Sequence, residues 1–309
     1  MKLKSLLLLS GLLLAGIPAF AQVAIDLSLS NYKFICHEPI VARVLLRNDS
    51  GRPLVFGDSE QLRGELFFEI VDSRGVQVKL RDKVPEIPQM LLSSGQTSKE
   101  LMVNLNNYYE LSKPGTYRIY CWVSHPMMAE NYKSPGSIPF IVESGQERWK
   151  IPAGRPDLLG QQNAKQIHKM YFTLLSIYKQ SRNSLYIRIE DDKKIYALRQ
   201  IGEELGNEKI DKDVDRFSSL HMIIPLSAKL FRYLVINLEG IVEKSELYRK
   251  DKVMPRLGRD ENTGRVFVAG GEKAIPGVDF IEAQEQGILK ADGTRRAPVP
   301  DDIPAGAGN

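Results

Sequence analysis

Cysteine is nearly absent from this 309-residue chain, with only Cys36 and Cys121, and histidine is scarce, with His37, His125, His168 and His221. Zinc needs three or four ligands at compact spacing, and no two of these histidines stand at His-x-x-x-His. A Gly-x-Ser-x-Gly elbow is missing, which removes that signature of serine hydrolase chemistry. Gly270-Gly271-Glu272-Lys273 lacks the order of a phosphate-binding loop and reads as a turn. Asp191-Asp192 and Asp211, Asp213 and Asp215 lack the glycine and glutamate of a calcium loop and read as charged loops. One-sided charge is absent too: 42 basic residues stand against 38 acidic ones, giving +4. So even a balance gives no whole-protein case for nucleic acid or an anionic membrane.

Long apolar runs are missing beyond the N-terminus. Met170 to Tyr178 and Leu230 to Leu238 are of strand length and carry polar interruptions. The N-terminus itself reads as a secretory signal peptide over residues 1–21. Lys2 and Lys4 give the positive start, Leu6 to Ile17 the apolar core, and Ala19-Phe20-Ala21 the cleavage pattern. The run stops at Pro18, short of the roughly 20 residues of a spanning helix. Position 22 is Gln, so no lipid anchor is indicated. The mature chain is expected to be soluble, periplasmic or extracellular, with no membrane insertion and a net charge near +2 after loss of the two lysines. In such a compartment Cys36 and Cys121 either form a disulfide or remain two separate thiols. Closing a loop of about 85 residues would contribute about 4 to 5 kcal/mol on the chain-entropy treatment.

From Ile25 to Glu143 apolar residues alternate with polar ones between turn signals, the mark of antiparallel strands with one buried face. Ile40, Ala42, Val44 and Leu46 share one parity, and Arg43 and Arg47 the other. Leu66, Phe68 and Ile70 alternate with Glu65 and Glu69, and Asp72-Ser73-Arg74-Gly75 turns the chain into Val76, Val78 and Leu80. Leu101 to Leu105, then Tyr117, Ile119, Cys121 and Val123, then Ile138, Phe140 and Val142 continue the pattern. Seven or more short strands at this spacing read as a β-sandwich.

Phe34, Glu38-Pro39-Ile40, Val41-Ala42-Arg43-Val44 and Asn48 resemble the opening strands of bacterial immunoglobulin-like domains, and Leu111 to Ile119 is similar to their penultimate strand. The resemblance covers about 120 residues and implies a fold but no activity. In antibody domains the buried Tyr stands two residues before the second Cys; here Tyr117 stands four before Cys121, so the standard inter-sheet disulfide does not follow. The whole arrangement resembles secreted two-domain bacterial proteins. The expected fold is mainly β: an N-terminal immunoglobulin-like antiparallel β-sandwich at 22–145, a linker at 146–168 with a short helix near Asn163 to His168, and a smaller antiparallel β-rich domain at 169–288. A disordered tail at 289–309 is expected from its proline, glycine and low apolar content. Leu185 to Ile189, Leu220 to Ile224 and Arg265 to Ala269 share a loose pattern, too few strands for a propeller.

Arg118, Tyr120 and Trp122 share a face of one strand, where aromatic rings either bind a partner or pack on the linker or second domain near Trp149. With the His125-Pro126-Met127-Met128 loop they are the candidate binding residues: Tyr120, Trp122 and His125. His221 is expected to be half exposed, and Glu65 and Glu69 to be solvated strand charges. No catalytic residue, metal ligand or cofactor is assigned. The expected function is a non-catalytic binding or structural protein of the cell envelope whose partner is an unknown protein or glycan. The alternative is a secreted hydrolase of cell-wall or polysaccharide material, with a site between the domains.

Overall fold

The computed structural model describes residues 23–128, 130–156, 167–205 and 209–280. The expected signal peptide and tail lie outside the described residues. The described chain is nearly all β, with a single 3-10 turn at Leu105–Asn107. Period-two alternation, rather than the 3.6 period of a helix, accounts for this.

The first ten strands are β1 (Val23–Leu29), β2 (Lys33–Ile35), β3 (Val41–Asn48), β4 (Leu54–Phe56), β5 (Glu65–Asp72), β6 (Met90–Leu92), β7 (Leu101–Asn104), β8 (Gly115–Ser124), β9 (Tyr132–Lys133) and β10 (Ile138–Glu143). They form sheets in the orders β1-β3-β7, β2-β10-β8-β5 with β9 added to β8, and β4-β6. Ala42, Val44 and Leu46 of β3 are fully buried while Arg47 is exposed, as the parity argument requires. The same holds for Leu66, Phe68 and Ile70 of β5 and for Tyr117, Ile119, Cys121 and Val123 of β8. Asn48 and Tyr109 bring polar groups into the apolar core. Buried Asn48 donates from Nδ2 to the carbonyls of Arg52 and Leu92. Tyr109, also buried, accepts from Phe68 N–H through its hydroxyl at 2.9 Å. Burial pushes that phenol up to about 12.

The expected strand at Val76 to Leu80 is reduced to isolated bridges, Val71 with Gln77 and Leu80 with Tyr109. Val78 N–H reaches Ile70, but Arg81 N–H then turns to Tyr108, so the segment serves two partners instead of one ladder.

The remaining strands are β11 (Gln146–Pro156), β12 (Ile167–Lys179), β13 (Arg182–Glu190), β14 (Ile195–Glu203), β15 (Asp211–Val214), β16 (Leu220–Pro225), β17 (Leu230–Ile236), β18 (Val242–Arg249), β19 (Arg256–Arg259), β20 (Val266–Ala269) and β21 (Glu272–Lys273). Their sheets run β11-β12-β13-β14, β15-β16-β17-β18-β21 and β19-β20. The first two meet over one core built from Phe172, Leu174, Ile187, Ile189, Met222 and Leu234, among others. Ile223, Phe231, Tyr233 and Val235 point the other way and receive Met254, Leu257 and Val268. This double covering explains why every residue of β16 is buried, His221 among them.

Three expectations change here. Residues 146–156, read as linker, form β11 and pair along their length with β12, because Trp149, Ile151 and Ala153 supply alternation that the prolines and Gly154 disguise. Ile167 and His168 lie on β12 instead of a helix, and residues 163–166 fall outside the described residues. Asp211–Val214, read as a charged loop, is strand β15, its carboxylates taken up by Leu257 N–H and Arg259.

Contacts divide the chain into two units. One holds the described residues up to Tyr32, Pro39–Leu111 and Gly115–Ile141; the other holds Lys33–Glu38, Ser112–Pro114 and the described residues from Val142 onward. The second unit thus recruits the short segment carrying Cys36 and Glu38. Ile35 packs with Leu175, Ile177 and Tyr186. Gly145, at φ 75°, is needed there: a Cβ would lie 2.5 Å from Ile35 Cδ1.

Candidate functional site

In β8 the buried residues leave Arg118, Tyr120 and Trp122 on the opposite face, Arg118 exposed and both rings half-buried. Register then decides their neighbours. Phe67 stands opposite Trp122 and Glu69 opposite Tyr120 on β5, while Lys133 of β9 stands opposite Trp122 on the other side. Directly opposed residues on one face touch, so β8 has its aromatic pair flanked by a carboxylate on one side and an ammonium on the other.

The side chains close over the strand. Lys133 Nζ lies 3.8 Å above the Tyr120 ring centre and 4.7 Å from that of Trp122. It also donates to Glu69 Oε2 at 2.8 Å, and Trp122 Nε1–H donates to the same oxygen at 3.1 Å. Both charged side chains keep about a third of their surface exposed, 34% for Lys133 and 32% for Glu69. The Lys133 hydrogen bond, with that of Trp122, holds the Glu69 carboxyl below its ordinary value. Arranged this way, two rings and a carboxylate form a cradle for a cation.

His125 does not join this face. Its ring is buried edge-on against Phe56, with centroids 4.9 Å apart. Met127 N–H donates to Nδ1 at 3.1 Å, so Nε2 carries the proton and donates to the Val55 carbonyl at 3.0 Å. Both nitrogens are spent on holding the 125–128 loop. Trp149 packs on the core of the second unit, under Lys212 Nζ at 5.0 Å.

Cys36 and Cys121 are both free thiols. Burial raises the Cys36 thiol and pushes Cys121 up to about 12, so neither is an activated nucleophile.

His221 is buried, not half exposed, because β16 is covered on both faces. Its Nδ1 meets Tyr233 Oη at 2.7 Å and its Nε2 meets Asp215 Oδ2 at 3.2 Å. Asp215 Oδ1 accepts from Phe217 and Ser219 N–H, and burial pushes the Tyr233 hydroxyl up to about 12. The string Asp215–His221–Tyr233 ends on a buried phenol and braces a turn. Beside it lies an open cleft of about 470 Å³ lined by Asp215, Phe217, Asn237, Glu239 and Glu243. No group of three or more histidine, cysteine or carboxylate residues is placed to hold a metal among the described residues.

Sequence reasoning missed Lys133 and underrated Glu69. The parity of β8 exposed the two rings, but only the pairing of β5 and β9 on either side brings the ions to them.

No family model matches the chain, and no curated protein matches it. Among solved structures, it is similar to Spo0M, the sporulation control protein of Bacillus subtilis, at 9% identity and a TM-score of 0.25, covering 59% of this chain and 91% of that one. It is also similar to the E. coli chaperone DraB at 12% identity and a TM-score of 0.20, covering 74% and 98%. Superpositions this loose carry no argument about function. The chain is a mostly β protein of antiparallel sheets, and no helix among the described residues is long and apolar enough to cross a membrane.

Proposed function

We propose that this chain is a secreted, non-catalytic binding protein of the cell envelope. Its N-terminal part would be an immunoglobulin-like sandwich that captures a protein or glycan partner through the face carrying Tyr120 and Trp122. The observation behind this reading is the half-buried aromatic pair set among Glu69, Lys133 and Phe67 on a regular strand face. Rigid rings on a sheet supply contact area at low entropic cost, and a hydrogen-bonded support fixes their orientation. His125 enters as the anchor of the neighbouring loop rather than as a ligand contact. Secretion rests on the character of residues 1–21.

The test is crosslinking of the mature protein in its own envelope. Wild type is expected to capture a defined partner, and Tyr120→Ala/Trp122→Ala to lose it while melting at a similar temperature. Unchanged capture by the double variant would overturn the placement. Mass analysis of the purified native protein should give an N-terminus at Gln22, and an intact Met1 terminus would remove the secretion argument.

A further inference from the structure

The cradle of Tyr120, Trp122 and Glu69 is filled by a side chain of its own protein. Lys133 satisfies it in three ways at once, with two ring faces within about 6 Å of the cation and one charge-assisted hydrogen bond. The site therefore displays which ligand chemistry it fits. A quaternary ammonium could use the rings, but only a group with N–H can use Glu69 Oε2. Trp122 Nε1–H occupies the same oxygen and fixes the carboxylate in place.

We propose that this cradle is a primary-alkylammonium site, and that its ligand is a lysine side chain presented by a partner protein, which takes the place of Lys133. The proposal rests on the reading of this face as the binding face and names the chemistry it recognises. Two properties make the exchange feasible. Lys133 sits on a two-residue strand and keeps 34% of its side chain in solvent, so its release leaves no buried carboxylate behind. The incoming group restores the same contacts, so the exchange itself is nearly balanced, and the remainder of a protein interface can tip it. A free amine lacks that help. Lys133, tethered to the site, competes at an effective concentration in the millimolar range or above. In the unbound protein the cradle is thus closed to free amines and opens to a lysine delivered on a docked surface.

Removing the tethered competitor tests this directly. The chain has two tryptophans, so its indole N–H spectrum holds two signals, and the one from Trp122 reports the cradle. Nα-acetyl-lysine methylamide is the probe, with its Nε-acetylated form as the uncharged control and tetramethylammonium as the cation without N–H. Lys133→Ala is expected to show a saturable shift of the Trp122 signal with the lysine amide, at least about tenfold tighter than wild type. The control should give none, and Glu69→Gln in the same background should weaken binding at least fivefold. Lys133→Gln serves as the second variant should Lys133→Ala lose its fold. Absence of a saturable shift in a folded Lys133 variant overturns the ammonium assignment. Tetramethylammonium binding as tightly as the lysine amide overturns the requirement for N–H. Either failure leaves the binding face itself to be judged by partner capture with Tyr120→Ala/Trp122→Ala, so the two readings fall separately.

Discussion

The same three chemical groups, a glutamate, a lysine and an aromatic ring, meet at different depths in the clusters around Glu69 and Glu38. In the first unit Glu69, Lys133, Tyr120 and Trp122 meet on a strand face with the ions one-third exposed. In the second unit Glu38 Oε1 accepts from Lys179 at 2.8 Å and from the Tyr186 hydroxyl at 2.9 Å, while Lys179 also contacts that hydroxyl. There the side-chain exposures fall to 7% for Lys179 and 16% for Glu38. Burial, then the Glu38 charge, raises the Tyr186 hydroxyl far above its ordinary value. Depth decides what the shared chemistry is for. A buried cluster cannot lose one member without stranding another, so it acts as a pin, here fixing the Ile35–Glu38 segment to β12 and β13. An exposed cluster exchanges its members with water and ligands at small cost, which suits binding.

The largest expected effect breaks the pin. Lys179→Met leaves the half-buried Glu38 without its cation and is expected to lower unfolding stability by about 3 kcal/mol in a urea titration. Adding Glu38→Gln should recover part of that loss; equal stability of Lys179→Met and wild type would show the pin to be as dispensable as the surface cluster. Next comes Tyr109→Phe, which orphans the Phe68 N–H inside the first unit, with an expected loss of about 1 to 3 kcal/mol by the same titration. Lys133→Ala should cost less than about 1 kcal/mol, since its ion pair is exposed. A cost matching that of Lys179→Met would erase the contrast and recast Lys133 as structural.

The smallest effect is on pH. Glu69 has a lowered carboxyl in the folded state, so its contribution is present above the unfolded carboxylate pKa of about 4.3 and is lost as pH falls through the lower folded value. Trp122, hydrogen-bonded to Glu69, is expected to change its indole N–H shift in that acid range. In Glu69→Gln the step should vanish, and a step that persists would place the titrating group elsewhere.

Much of the architecture could be read without coordinates wherever one face of a strand is buried. Ile40 to Leu46, Leu66 to Ile70 and Tyr117 to Val123 kept their expected parities because water on one face and core on the other is a property of each strand alone. The same argument placed Arg118, Tyr120 and Trp122 together. It failed where burial is two-sided or where polar residues are paired out of sequence. His221 was read as half exposed because a strand covered on both faces carries no alternation to reveal it. Asp213 looked like a loop residue because Arg259, its partner on β19, is 46 positions away. Gln146 to Pro156 looked like a linker because two prolines and a glycine outweighed the apolar positions between them, which β12 nonetheless pairs.

What the amino-acid sequence determined by itself is the β character, most strand faces and the common face of the aromatic pair, all of which follow from a period of two and from local turn chemistry. Tertiary structure alone decided which strands stand side by side. Cross-strand register is a relation between distant segments, and it is register that sets Glu69 opposite Tyr120 on one side of β8 and Lys133 opposite Trp122 on the other. Packing depth, equally non-local, separates that partly exposed cluster from the deeper one at Glu38, Lys179 and Tyr186.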